Sequence, residues 1–259
     1  MTHDALLYTV DNHIAAFTIN REANRNSINR DVINLFNRYL DRAEEDPEVR
    51  VVIITGAGEK AFCSGADLGD MKSGGDGEEQ NPVKPYADLL KRIVTFPKPT
   101  VAKINGYCLA GGMGFMLACD IVVARNDTKF GTPEVNVGLF PMMIGALIFR
   151  NALRKKAMEM ILLGEKLSAA DALSMGLITR AVPPDQLEDE VQGILNTLKQ
   201  KSPIGMKIGK EAFFNMADLP LEAALTYLSK KLMEVATTED AMEGVTAFLE
   251  KRLPVFKGK

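Results

Sequence analysis

Asn105-Gly-Tyr-Cys-Leu-Ala-Gly-Gly-Met-Gly-Phe-Met-Leu-Ala-Cys-Asp120 lies between two apolar runs, Pro99 to Ile104 and Ile121 to Ala124, that read as strands. Inside it, Gly111-Gly112 is a turn signal that opens a helix. A helix joining two apolar strands predicts α/β layering. Gly114 falls within that helix, where glycine costs about 1 kcal/mol against alanine. The expected consequence is space, an enlarged pocket beside the helix.

Outward from this stretch the same alternation continues. Val51 to Thr55 is a β-branched run and reads as a buried strand. Leu6 to Val10 and Ile14 to Ile19 read as a hairpin around Asp11-Asn12. From Asp31 the spacing turns helical, with Val32, Leu35, Phe36, Tyr39, Leu40 and Ala43 on one face, Asn29 as N-cap and Pro47 just past the end. The alternation runs to about Arg180. After Pro183-Pro184 the pattern is helical nearly to the end, with Pro203 and Pro220 separating helices. Between Lys72 and Pro85 no apolar period appears, so the segment reads equally as a floppy insertion or as a lid. No internal repeat or long linker is present, and one compact unit is expected.

Composition narrows the function. At 259 residues the chain can bury a substantial core. It is 46% hydrophobic and 25% charged with a formal net charge of −3, which gives no reason to expect a nucleic acid partner. Cys63, Cys108 and Cys119 are too few and too scattered for a disulfide framework or a zinc site, so no metal is expected. The two histidines, His3 and His13, both lie in the first hairpin, a poor start for a Ser-His-Asp triad. Met1-Thr-His-Asp-Ala carries no basic region followed by an apolar run, and no apolar run approaches the ~20 residues a membrane span needs. A cytoplasmic setting and no membrane partner are the expectations.

Val51-Val-Ile-Ile-Thr-Gly56-Ala-Gly58-Glu-Lys-Ala61 is nominally a strand followed by G-x-G-x-x-A, a dinucleotide fingerprint. That mechanism needs a helix N-terminus directly on the last small residue and an acidic residue about 20 positions on, ending a second strand. Phe62-Cys-Ser-Gly65 interrupts the helix, and the required distance falls inside the Gly-rich segment. An NAD-dependent oxidoreductase is therefore the weaker reading of these glycines.

Lys60-Ala-Phe-Cys-Ser-Gly-Ala-Asp-Leu68, together with Asn105 to Asp120 and Phe130-Gly-Thr-Pro-Glu-Val-Asn-Val-Gly138, resembles the enoyl-CoA hydratase/isomerase (crotonase) family. The resemblance extends to Asn20-Arg-Glu-Ala-Asn-Arg-Asn-Ser27, where Glu22 stands in the family's usual proline place. It also takes in Leu162 to Leu177, similar to a helix-packing motif, and Ala241 to Arg252. It implies an α/β fold, a crotonase-like spiral of ββα units in about residues 1–200 with a helical C-terminal region in about residues 201–259. It also implies an acyl-CoA thioester substrate and a homo-oligomer, a trimer or a hexamer. No cofactor is implied, since coenzyme A is part of the substrate.

The site residues follow from the same resemblance. Ala66 and Gly111 would supply the two backbone N–H groups of an oxyanion hole, suited to a thioester enolate whose charge develops on oxygen. Glu134 would be the catalytic acid/base, its pKa raised by Val135, Val137, Leu139, Phe140 and Pro141; alone, it reads as a first-turn glutamate after Pro133. Arg25, Ser64, Asp67 and Leu68 would contact CoA, and Phe248 and Lys251 would reach CoA on a neighbouring subunit. Gly114 takes the place of the first of the hydratases' two glutamates. With one carboxylate, double-bond isomerisation is the simpler chemistry, because hydration needs one group to activate water and another to protonate C2. An atypical hydratase and a non-catalytic acyl-CoA-binding protein are the alternatives.

Overall fold

A computed structural model describes residues 4–67, 69 and 83–259. The strands form two sheets. The larger has six strands in the order β1 (Leu6–Asp11), β2 (Ile14–Ile19), β3 (Val51–Gly56), β5 (Thr100–Ile104), β7 (Ile121–Arg125) and β10 (Arg180–Val182). The smaller orders β4 (Ala61–Cys63), β6 (Tyr107–Leu109), β8 (Lys129–Gly131) and β9 (Leu167–Ser168). Only the outer pairs β1–β2 and β8–β9 are antiparallel.

The chain climbs by placing one strand in each sheet and then a helix. β3 and β4 lead towards α2 (Lys84–Val94), β5 and β6 lead to α3 (Gly111–Ala118), and β7 and β8 precede α4 (Met142–Asn151). This is the expected spiral of ββα units. Strand alternation divides the core. Val52 and Ile54 face the main core with α1 (Arg30–Glu45), whereas Val51 and Ile53 face the other side, covered by Leu187, Val191, Ile194 and Leu195 of α7 (Leu187–Leu198). Along the chain, α5 (Arg154–Leu163) and α6 (Ala169–Ser174) fall between α4 and α7, and their buried residues join the main core.

The local signals hold where chemistry dictates a boundary. Asn29 caps α1 by accepting from Val32 N–H at 3.0 Å, satisfying one of the helix's orphan donors. Pro203 stands at the first position of α8 (Pro203–Met216), and Pro220 precedes α9 (Leu221–Ala236). With α10 (Glu239–Leu249) these form the helical C-terminal region. The lid-or-insertion stretch from Lys72 lies mostly outside the described residues. Among the described residues, no helix is long and apolar enough to cross a membrane.

Candidate active site

Gly65 joins the two expected oxyanion segments. Its φ of +98° is one that side chains rarely adopt, and a Cβ there would lie 2.6 Å from Ala110 Cβ and 3.2 Å from Gly111 N. The loop after β4 therefore touches the start of α3. Ile28 N–H donates to Gly65 O at 2.8 Å and Asp67 N–H to Ile28 O at 2.8 Å, a parallel bridge whose bonds flank Ala66. The Ala66 N–H consequently points away from Ile28. Gly111 is the first residue of α3, where an N–H has no intrahelical partner. Among the described residues neither N–H donates a hydrogen bond. Both sit on a backbone that is held elsewhere.

Strain marks the same corner. Ala110 has φ 49° and ψ −130°, a conformation that costs a non-glycine residue on the order of 1–3 kcal/mol. Its N–H donates to Gly131 O at 2.9 Å, and Leu109 pairs with Gly131. That pairing fixes β8 against the helix start, and Glu134 follows three residues later in a 3-10 helix, Pro133–Val137. Glu134 Oε2 is buried and, among the described residues, has no hydrogen-bond partner. Burial pushes its carboxyl above the ordinary carboxylate range, with its own backbone pulling the other way. Of the apolar neighbours expected to do this, Pro141 is buried and Val135 half-buried, whereas Val137, Leu139 and Phe140 are exposed.

The expectation that Gly114 enlarges the pocket is overturned. Gly114 is buried in α3, and a Cβ added to it would overlap Tyr86 Oη and lie 2.7 Å from Ile144 Cγ2 and 3.2 Å from Leu90 Cδ1. The tyrosine hydroxyl fills the space. It donates to Gly111 O, and burial holds its pKa well above the usual phenol value. Cys63 is buried too, its thiol pushed up to about 12, and Cys108 is raised in the same way. Both stay neutral thiols and poor nucleophiles.

The CoA-side residues divide. Asp67 is held within the protein: Arg21 donates to its Oδ2 at 2.8 Å and Ser27 Oγ lies 3.3 Å away. The Arg21 hydrogen bond keeps the Asp67 carboxyl below its ordinary range. Arg21 also bonds Ser27 O, so this pair, unnoticed in the sequence, anchors the loop that carries Ala66. Arg25 remains exposed, beside Lys60 and Arg125 in a cleft of about 390 Å³. Ser64 N–H is occupied by Arg25 O at 3.1 Å. Leu68 lies outside the described residues. Phe248 is in the last turn of α10 and Lys251 lies two residues past its end; this helix packs on α8 and α9. Phe248 is 81% exposed.

The dinucleotide reading of Gly56 and Gly58, the weaker one from the sequence, lacks the helix it requires. Strand β4, not a helix, follows them, and Asn105 Nδ2 donates to both Gly56 O (2.7 Å) and Gly58 O. The glycines close a strand-to-strand turn. Among the described residues, no three of His, Cys, Asp and Glu are grouped as metal ligands would be.

Comparison with known proteins agrees with this fold. Residues 9–259 match the family described as enoyl-CoA hydratase/isomerase. The 2,3-dehydroadipyl-CoA hydratase of Escherichia coli is 32% identical, over 98% of this chain and 99% of that protein. The short-chain-enoyl-CoA hydratase of Clostridium acetobutylicum is 32% identical over 92% of each. A solved enoyl-CoA hydratase from Bacillus anthracis superposes with a TM-score of 0.93 at 31% identity, covering 98% of this chain and all of that one.

Proposed function

The chain belongs to the enoyl-CoA hydratase/isomerase family, and from that premise we propose that it moves the double bond of an enoyl-CoA with Glu134 as its one acid/base. Glu134 takes a proton from C2 of a 3-enoyl thioester, and the negative charge passes to the thioester oxygen. The Ala66 and Gly111 N–H groups hold that oxygen; one such donor contributes about 10²–10³-fold to turnover. The protonated Glu134 then returns the proton at C4, leaving a 2-enoyl thioester. No added cofactor enters the cycle.

One observation carries this reading: a carboxylate oxygen of Glu134 that is buried and, among the described residues, without a hydrogen-bond partner, while Gly114 offers no second carboxylate. Hydration is the second reading, supported by relatives that are themselves called enoyl-CoA hydratases. In either case a non-hydrolysable acyl-CoA is expected to raise the Tm by mass action, whereas NAD is not. Stabilisation by NAD alone would remove the assignment.

The oligomer belongs to the same proposal. Phe248, Leu249, Leu253 and Val255 are exposed around Lys251, a surface that suits burial in a trimer or hexamer in which Lys251 meets a neighbour's CoA. Sedimentation is expected to show three or six subunits. Monomer alone at micromolar concentration would remove this role for Phe248 and Lys251.

A further inference from the structure

We propose that Tyr86 is the specificity-determining residue of this site: its hydroxyl stands where a side chain at position 114 would begin, closing that end to a second acid/base and to water. The inference rests on the reading of Glu134 as the acid/base. Gly111 and Gly114 lie one helical turn apart on the same face of α3. Tyr86 Oη meets both: it donates to Gly111 O, lies 3.4 Å from where a Cβ on Gly111 would stand, and overlaps the Cβ position of Gly114. The ring is held in place behind it. Tyr86 meets Phe115 edge-on at 5.5 Å and 69°, and Leu89, Leu90 and Ile93 seat α2 in the core.

The consequence is chemical as well as steric. A phenol that remains neutral and gives its proton to Gly111 O cannot take a proton from water. Its oxygen is also about the size of a water molecule, so none can occupy that place. Removing Oη takes one hydrogen bond from Gly111 O, at the half-buried start of α3, and opens a gap beside that acceptor which a water can enter.

Two measurements test this. In the first, Gly114→Ala, Tyr86→Phe and the double variant are melted. Overpacking at Gly114 is expected to lower the Tm by several degrees, and by less than half as much once Oη is gone. Should Gly114→Ala fail to fold, Tyr86→Phe is expected to restore folding. Equal losses in both backgrounds, or no restoration, would show that the hydroxyl does not hold the position.

In the second, the ratio of hydration to isomerisation is measured for wild type, Tyr86→Phe and Tyr86→Leu, both of which keep an apolar side chain in the core. The ratio is expected to rise about tenfold, more in Tyr86→Leu, with Glu134 taking a proton from the admitted water as its oxygen adds at C3 and returning that proton at C2; this is the scale of 1.4 kcal/mol in a barrier. An unchanged ratio, with both rates falling together, would reduce Tyr86 to a structural role. The melting cycle requires no turnover, so its failure is separate from that of the Glu134 reading, which shows instead as turnover surviving in Glu134→Gln.

Discussion

Glu134→Gln is expected to lower kcat by about 10²–10⁴-fold while leaving acyl-CoA affinity within a few fold. The amide keeps the size of the side chain but cannot accept the C2 proton, so the loss falls on turnover. The pH profile gives a second reading of the same group. Burial favours the protonated form of Glu134, so its pKa lies above the ordinary carboxylate range. A base must be deprotonated, and kcat/KM should therefore fall on the acid side at a pH higher than an exposed glutamate would give. Persistence of turnover in the variant would assign the proton transfer to another group.

Gly114→Glu is expected to cost stability and to create no hydratase. The new side chain would begin in space held by Tyr86 Oη, with Ile144 Cγ2 2.7 Å and Leu90 Cδ1 3.2 Å from its Cβ. Overpacking of this kind costs about 1–3 kcal/mol, and a carboxyl buried there without partners adds roughly 1–3 kcal/mol more. At about 2–4 °C per kcal/mol for a large domain, a fall in Tm on the order of 10 °C is expected. A variant as stable as wild type with faster hydration would mean that Tyr86 yields readily, and its proposed role would go with it.

Much of this was legible in the sequence because local chemistry wrote it there. The α1 face and its Asn29 cap, the strands from Val51 and Ile121, and the proline-started helices all follow from periodicity and backbone rules. The meeting of Gly65 with Gly111 was legible only through the family resemblance, since nothing in either segment says that β4 and β6 will pair. Tyr86 was missed for a physical reason. With Leu89, Leu90 and Ile93 it falls at helical core spacing, where a tyrosine reads as packing. That its hydroxyl fills the gap at Gly114 is a fact of tertiary contact between α2 and α3. Gly114 misled in the same way. An absent side chain predicts space only if no neighbour moves into it. Arg21 likewise gives no signal of its partner, because Asp67 is 46 residues away.

The most direct measurement incubates the wild-type protein with matched 2-enoyl- and 3-enoyl-CoA thioesters, then resolves the products by mass and double-bond position. One acid/base and a phenol at Gly114 lead us to expect rapid conversion of the 3-enoyl to the 2-enoyl isomer at unchanged mass, with addition of water slower by about 10²–10⁴-fold. A product heavier by one water, formed faster than the isomer, would contradict the assignment of Glu134 as the single working acid/base.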